Sequence, residues 1–132
     1  VFLGRRPAEP VDHDLAAFYS RLLKAVNREV FRQGQWSLCE RSGWPDNPSY
    51  QGVLAWCWAH GDERYLVIVN YQAQAAQAKI CVPWDELRDK AWRLGDVLSD
   101  QTYDRNGSEM RDAGLYVDLP PWQFHLFELR AG

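Results

Sequence analysis

Residues 52–71, GVLAWCWAHGDERYLVIVNY, constrain the fold more than any other part of the chain. Two apolar runs flank a short polar link that holds Gly61 and Asp62. In the first run Val53, Ala55, Cys57 and Ala59 alternate with the larger Leu54, Trp56 and Trp58. The second carries Leu66, Val67, Ile68 and Val69 without a polar break. Aromatic and β-branched runs around a Gly-Asp link specify a hairpin, since glycine takes the backbone angles that a tight turn needs. Both faces of both runs are apolar. The hairpin is therefore expected to be covered on both sides and to sit at the centre of a sheet.

Upstream, residues 1–11 hold two prolines and an Arg pair and read as an extended arm. A helix is expected next, capped by Asp12, with Asp14 in its first turn and a stop at Gly34. Leu15, Phe18, Tyr19, Leu22, Leu23, Val26 and Val30 recur at spacings of three and four. With Ala16 and Ala25 the apolar arc covers about half the helix, wider than the ~100° stripe of a surface helix. Such a helix is expected to pack against two neighbours.

Downstream the pattern is all strand and turn. Strands are expected over 36–41, 53–59, 65–71, 75–82, 92–98, 115–119 and 122–129, with a short hairpin around Asn106-Gly107 as an eighth element. Ala76, Ala78, Ile80 and Val82 share one face, while Gln77 and Lys79 face water. Pro83 opens a single helical turn through Leu87. Turn signals recur every 8–12 residues. The fold class is thus mainly β: an antiparallel β-sandwich of about seven to eight strands with one N-terminal amphipathic α-helix. No βαβ alternation argues for a parallel sheet. The expected domain division is 1–34, arm and helix, and 35–132, β-sandwich.

The chemistry of the chain is sparse. Its 132 residues suit one core, and the net charge of −3 is spread without basic runs, so no nucleic-acid or membrane partner is expected. No apolar run reaches the ~18–20 residues of a bilayer span, and no signal peptide opens the chain. It begins at Val1, and a piece of a longer protein is expected. Cys39, Cys57 and Cys81 lack metal-site spacing and read as buried free thiols, which favours the cytoplasm. His13, His60 and His125 share no ligand spacing; His125 reads as a hydrogen-bonded strand residue. Asp62-Glu63, Asp85-Glu86 and Glu109 with Asp112 sit in turns and read as solvated charges. No metal, no cofactor and no catalytic residue is expected.

Seven Trp in so short a chain is the remaining signal. Trp56, Trp58, Trp92 and Trp122 fall in strand patterns and are expected in the core or at its margin; Trp36 is open. Trp44 and Trp84 lie in loops beside prolines. A loop indole either stacks on a sugar face or plugs its loop onto the sheet. Trp44 and Trp84 are the candidate carbohydrate contacts.

The order of these parts resembles the C-terminal end of the alpha-amylase superfamily, glycoside hydrolase family 13. The resemblance lies in LAAFYSRLLKAV (residues 15–26), VLAW (53–56), RYLVIVNY (64–71), the Pro83-Trp84 turn and LPPWQFHLFEL (119–129). It implies that the helix is the last helix of a catalytic (β/α)8 barrel and the strands a small C-terminal β-sandwich. The family's catalytic carboxylates lie on barrel strands upstream of that helix, so no residue here inherits a catalytic role. The implied function is a non-catalytic domain of an enzyme acting on α-glucans such as starch, with the barrel of the same chain as partner. Two rivals remain: a free-standing carbohydrate-binding module in contact with α-glucan, and an interaction domain that pairs as a homodimer.

Overall fold

The computed structural model describes residues 17, 20, 21, 23, 24 and 26–132. The arm, the caps Asp12 and Asp14, His13, and the helix positions Leu15, Ala16, Phe18, Tyr19, Leu22 and Ala25 lie outside the described residues. Ala17, Ser20, Arg21, Leu23, Lys24 and Val26 are helical. A turn at Asn27 and Arg28 then separates them from α1, Glu29–Gln33. This corrects the expected single helix. Arg28 takes extended backbone and bonds the Tyr65 hydroxyl and Glu128 on the sheet below, which a continuous helix would deny it. The stop at Gly34 is observed: its N–H donates to the Val30 carbonyl, and a Cβ there would lie 2.1 Å from that oxygen.

Nine strands follow in two antiparallel sheets: β1 Gln35–Leu38, β2 Glu40–Ser42, β3 Val53–His60, β4 Glu63–Asn70, β5 Ala76–Cys81, β6 Ala91–Asp96, β7 Thr102–Asn106, β8 Leu115–Leu119 and β9 Phe124–Ala131. The larger sheet has the order β1-β3-β4-β9-β6-β7 and the smaller β2-β5-β8. The β3–β4 hairpin is central, paired from Val53↔Asn70 to His60↔Glu63, and its turn uses Gly61 at φ 57°. The expected sandwich is thus observed, with more strands than read from the sequence. The first expected strand divides at Cys39, which is buried and donates its N–H to the Ala55 carbonyl where the chain crosses between sheets. The polar stretch after β6 supplies β7, which pairs with β6 over Gly95↔Thr102 to Ala91↔Asn106. Asn106-Gly107 ends that strand; it is not a hairpin tip. Gly107 passes so close beneath the Leu87 carbonyl that a Cβ would meet it at 1.7 Å.

The core lies between the sheets. Val53, Ala55, Cys57, Leu66 and Ile68 of the hairpin meet Ala76, Ala78, Ile80, Leu115, Val117 and Leu119 of the smaller sheet. Strand alternation is read out as expected: Ala76, Ala78 and Ile80 are buried, Gln77 and Lys79 are not. The helical turn expected after Pro83 is the 3-10 turn Asp85–Leu87. At one end of this core sits Asn70, whose side-chain amide donates to the carbonyls of Gln74, Leu119 and Pro120 at 2.9–3.0 Å. It ties the end of β4 to the chain entering β5 and leaving β8.

Candidate functional site

Alternation sends Val53, Ala55 and Cys57 inward, so Leu54, Trp56 and Trp58 stand on the opposite, outer face of the larger sheet. The register adds Trp36 opposite Trp58 and Leu38 opposite Trp56 on β1. It adds Tyr65, Val67 and Val69 on β4, and Phe124, Leu126 and Glu128 on β9. The outer face is therefore apolar over four strands.

Only part of it is covered. Val30 and Phe31 of α1 pack with Tyr65, Leu126, Trp58 and Val67 in a second, smaller cluster. Phe31 stands edge-on to Trp58 at 5.8 Å and lies 5.0 Å from the Tyr65 ring. Beside it, Arg28 donates to the Tyr65 hydroxyl and, at 3.1 Å, to Glu128, while Tyr65 donates to Glu128 at 2.7 Å. Burial pushes the Tyr65 hydroxyl up to about 12, and the neighbouring Glu128 carboxylate adds to it. Burial works to raise Glu128, but hydrogen bonds from Tyr65 and Arg130 hold it below the usual carboxylate range.

Away from α1, several described residues of the same face are exposed. Trp36 is 50 % exposed and Leu38 63 %, with Leu54 beside them. Leu23 and Val26 of the preceding helical stretch are exposed as well. Tyr71, just beyond β4, is exposed and meets Trp122 edge-on at 5.3 Å. Here the structure corrects the sequence reading. Trp122 was expected in the core as part of the last strand, but it precedes β9 and is 55 % exposed. The Pro120-Pro121 turn leaves Trp122 at φ 60°, which swings its indole out of strand alternation. Trp92 is buried as expected, and Trp56 and Trp58 are half-buried at the margin.

The two loop indoles part company. Trp84 is 9 % exposed, belongs to the main core, and has the Arg64 guanidinium over its ring at 5.6 Å. It plugs its loop onto the sheet. Trp44 is half-buried on the outer side of the smaller sheet, held by a bridge to Asn47. The Lys79 ammonium lies 5.1 Å from its ring and the exposed Tyr116 stands edge-on at 6.0 Å. Next to them Asn47 donates to Gln77, and Gln77 donates to Asp118, both at 2.9 Å. An aromatic corner beside amides and a carboxylate suits a saccharide. Tyr116 was missed as a partner because it and Trp44 lie far apart in sequence.

The remaining candidates are structural. Asp85 pairs with Arg88 and Arg111, Asp112 with Arg88 and Glu86 with Arg64, all near solvent. Asp62 and Glu63 lie exposed at the hairpin turn. The three cysteines are free, Cys39 and Cys57 buried. A hydrogen bond to Cys57, together with burial, pushes the Cys39 thiol up, so it stays protonated. Among the described residues no group of His, Cys, Asp and Glu is arranged to hold a metal ion. His60 ends β3 opposite Glu63. His125 is hydrogen-bonded as expected, through Nδ1 to Asp96 Oδ2 at 3.0 Å.

No protein-family model matches the chain and no curated protein matches it. Solved structures do. A maltogenic alpha-amylase of Thermotoga neapolitana superposes with a TM-score of 0.68 at 11 % identity, over 93 % of this chain and 27 % of its own. An Anoxybacillus alpha-amylase gives 0.65 at 12 % identity, over 92 % of this chain and 23 % of its own. The trehalulose synthase of Pseudomonas mesoacidophila gives 0.52 at 19 % identity, over 86 % and 17 %. At these identities what is shared is the fold, a β-rich unit that fits the C-terminal domain read from the sequence. The chain spans about a quarter or less of the solved chains it matches. What these structures define is the fold: an antiparallel β-rich unit that makes up a small part of each solved alpha-amylase chain it matches.

Proposed function

We propose that this chain is the non-catalytic C-terminal domain of an alpha-amylase-type protein and that it braces the catalytic barrel through the outer face of its larger sheet. One observation carries the reading. Trp36, Leu38 and Leu54 stand exposed on a sheet face whose neighbouring part is already packed under α1. Exposed apolar area of this kind marks a contact surface. A barrel packed there would explain why the helical stretch and the sheet both leave apolar side chains open. The boundary between helix and sandwich falls at Gly34 in this reading. The parent reaction is hydrolysis or transfer at α-glucosidic bonds, carried out by two carboxylates of the barrel.

The test uses the longer protein. Leu38→Glu and Trp36→Glu should lower its thermal midpoint by several degrees while leaving this chain alone almost unaffected. Equal effects in both would overturn the bracing role. A solution mass of the isolated chain checks the rival in which the same face pairs two copies.

A second reading is favoured by Trp44, Tyr116 and Lys79, which form an aromatic corner with amides alongside. There an α-glucan would stack. Titration with maltoheptaose and soluble starch, followed by Trp fluorescence, should saturate and be lost on Trp44→Ala. No binding at millimolar sugar would remove this contact and leave the brace.

A further inference from the structure

Strands β7 and β8 are the edges of different sheets and do not pair with each other. Near this open side of the sandwich lies a cleft of about 480 Å³, lined in part by Asp96, Gln101, Tyr103, Asp118, Gln123 and His125. A second hollow of about 170 Å³ shares Tyr103, Asp118 and His125 with it. The first borders the outer apolar face at Leu98 and Phe124.

His125 is the best-positioned group there. Its ring stacks on Phe127 at 4.6 Å and an 18° interplanar angle, with Tyr103 edge-on at 6.3 Å. Its Nδ1 meets Asp96 Oδ2, and the other Asp96 oxygen accepts from the Leu98 N–H at 3.1 Å. The Asp96 side chain is only 7 % exposed. Burial works to raise its pKa, but the bonds from His125 and Leu98 hold it below the usual carboxylate range. A carboxylate only accepts, so Nδ1 carries the proton, and neutral His125 presents a lone pair at Nε2. Nε2 has no hydrogen-bond partner among the described residues. A buried carboxylate thus orients an imidazole whose second nitrogen is spare.

The lining decides what fits. It contains no Lys or Arg, and two of its members are Asp, so an anion is disfavoured. Tyr103 donates its hydroxyl proton to Gln101 Oε1 at 3.1 Å, which leaves the hydroxyl free to accept and the Gln101 amide free to donate. Gln123 adds a second amide and Asp118 a carboxylate acceptor. Vicinal hydroxyls donate and accept at once, so they match this mixture. We propose that this cleft binds one ring of a neutral saccharide, with His125 Nε2 and the Tyr103 hydroxyl as its positioned contacts. His125 and Tyr103 pair in register with the buried Ile68 and Leu94, on the side of the sheet opposite the bracing face, and neither reading needs the other.

The experiment is an NMR titration of the full chain with maltose, with inorganic phosphate as the control anion. Maltose should saturate at millimolar concentrations and move the His125 ring signals and the Gln101 and Gln123 side-chain amides. Tyr103→Phe and His125→Gln should each weaken binding about fivefold to tenfold, the size of one lost hydrogen bond. Asp96→Asn should change the His125 tautomer, read from its ring nitrogen shifts, and weaken binding with it. The proposal is overturned if maltose moves nothing up to roughly 100 mM, an affinity too weak to count as a site. It is equally overturned if shifts map to Trp44 and Tyr116 instead, or if phosphate gives the same response.

Discussion

The two faces of the larger sheet are both apolar, yet they differ in side-chain size and meet different fates. The inner face carries small and branched side chains, Val53, Ala55, Cys57, Leu66 and Ile68, and the smaller sheet closes over all of them. The outer face carries Trp36, Leu38, Leu54, Trp56, Trp58 and Tyr65, and among the described residues α1, Val97 and Leu98 close part of it. Size explains part of the contrast. Two sheets pack at about 10 Å, which suits Ala, Val and Leu in interlocking rows. Indole rings need a thicker layer, which a helix provides. Polar groups differ as well. The inner face ends in Asn70, whose amide is spent on backbone carbonyls, whereas the outer face keeps a charged network of Arg28, Tyr65 and Glu128 at the helix margin. The inner face thus makes the domain, and the outer face is what the proposed bracing role would use.

The largest effect is expected from Leu66→Ala on the inner face. Leu66 is fully buried, and truncation there should cost about 2–5 kcal/mol in denaturant unfolding. A loss below 1 kcal/mol would mean that the inner face is no better packed than the outer.

Asn70→Leu comes next. It keeps the branched outline in a larger side chain but strands three carbonyls, and a loss of about 2–3 kcal/mol is expected. A neutral result would show that those carbonyls find water.

Tyr65→Phe sharpens the boundary between the covered and open parts of the outer face. Its hydroxyl joins α1's approach to β9, and its loss should cost about 1 kcal/mol at neutral pH. The pH dependence gives a second readout. The folded-state value is raised from 10.0 to about 12, so the stabilisation is complete below pH 10. Between pH 10 and 12 the unfolded chain releases its proton first, and stability falls. The variant should lose this part of the alkaline decline, as seen in urea midpoints across that range.

The smallest effect belongs to the open part. Leu38→Ser in the isolated chain should change stability by no more than ~0.5 kcal/mol, since the side chain is largely in water. A cost of 2 kcal/mol would show that the face is covered in solution, by a second copy or by the preceding chain.

Much of this was legible along the chain. The period-two patterns at 53–59, 76–82 and 115–119 specify strands and their buried faces because alternation is a local property of an extended backbone. Gly61 marks the central turn, and Gly34 the end of the helix, through steric demands that involve near neighbours. The doubled apolar character of residues 52–71 announces a sheet buried from two sides, and the ordered motifs together point to the amylase-type fold. Sequence alone could not divide residues 36–41 between two sheets, since that depends on which strand pairs with Leu38 and which with Glu40. It could not expose Trp122, whose position follows from the turn geometry after Pro121. Nor could it join Asp96 to His125, Trp44 to Tyr116, or Arg28 to Glu128. These pairs lie on different strands and loops, and only the closure of the two sheets brings them within reach. Local periodicity determined which segments are strands and which side of each is apolar. The tertiary structure decided which of those apolar sides found a partner, because burial depends on contacts between segments that periodicity does not encode.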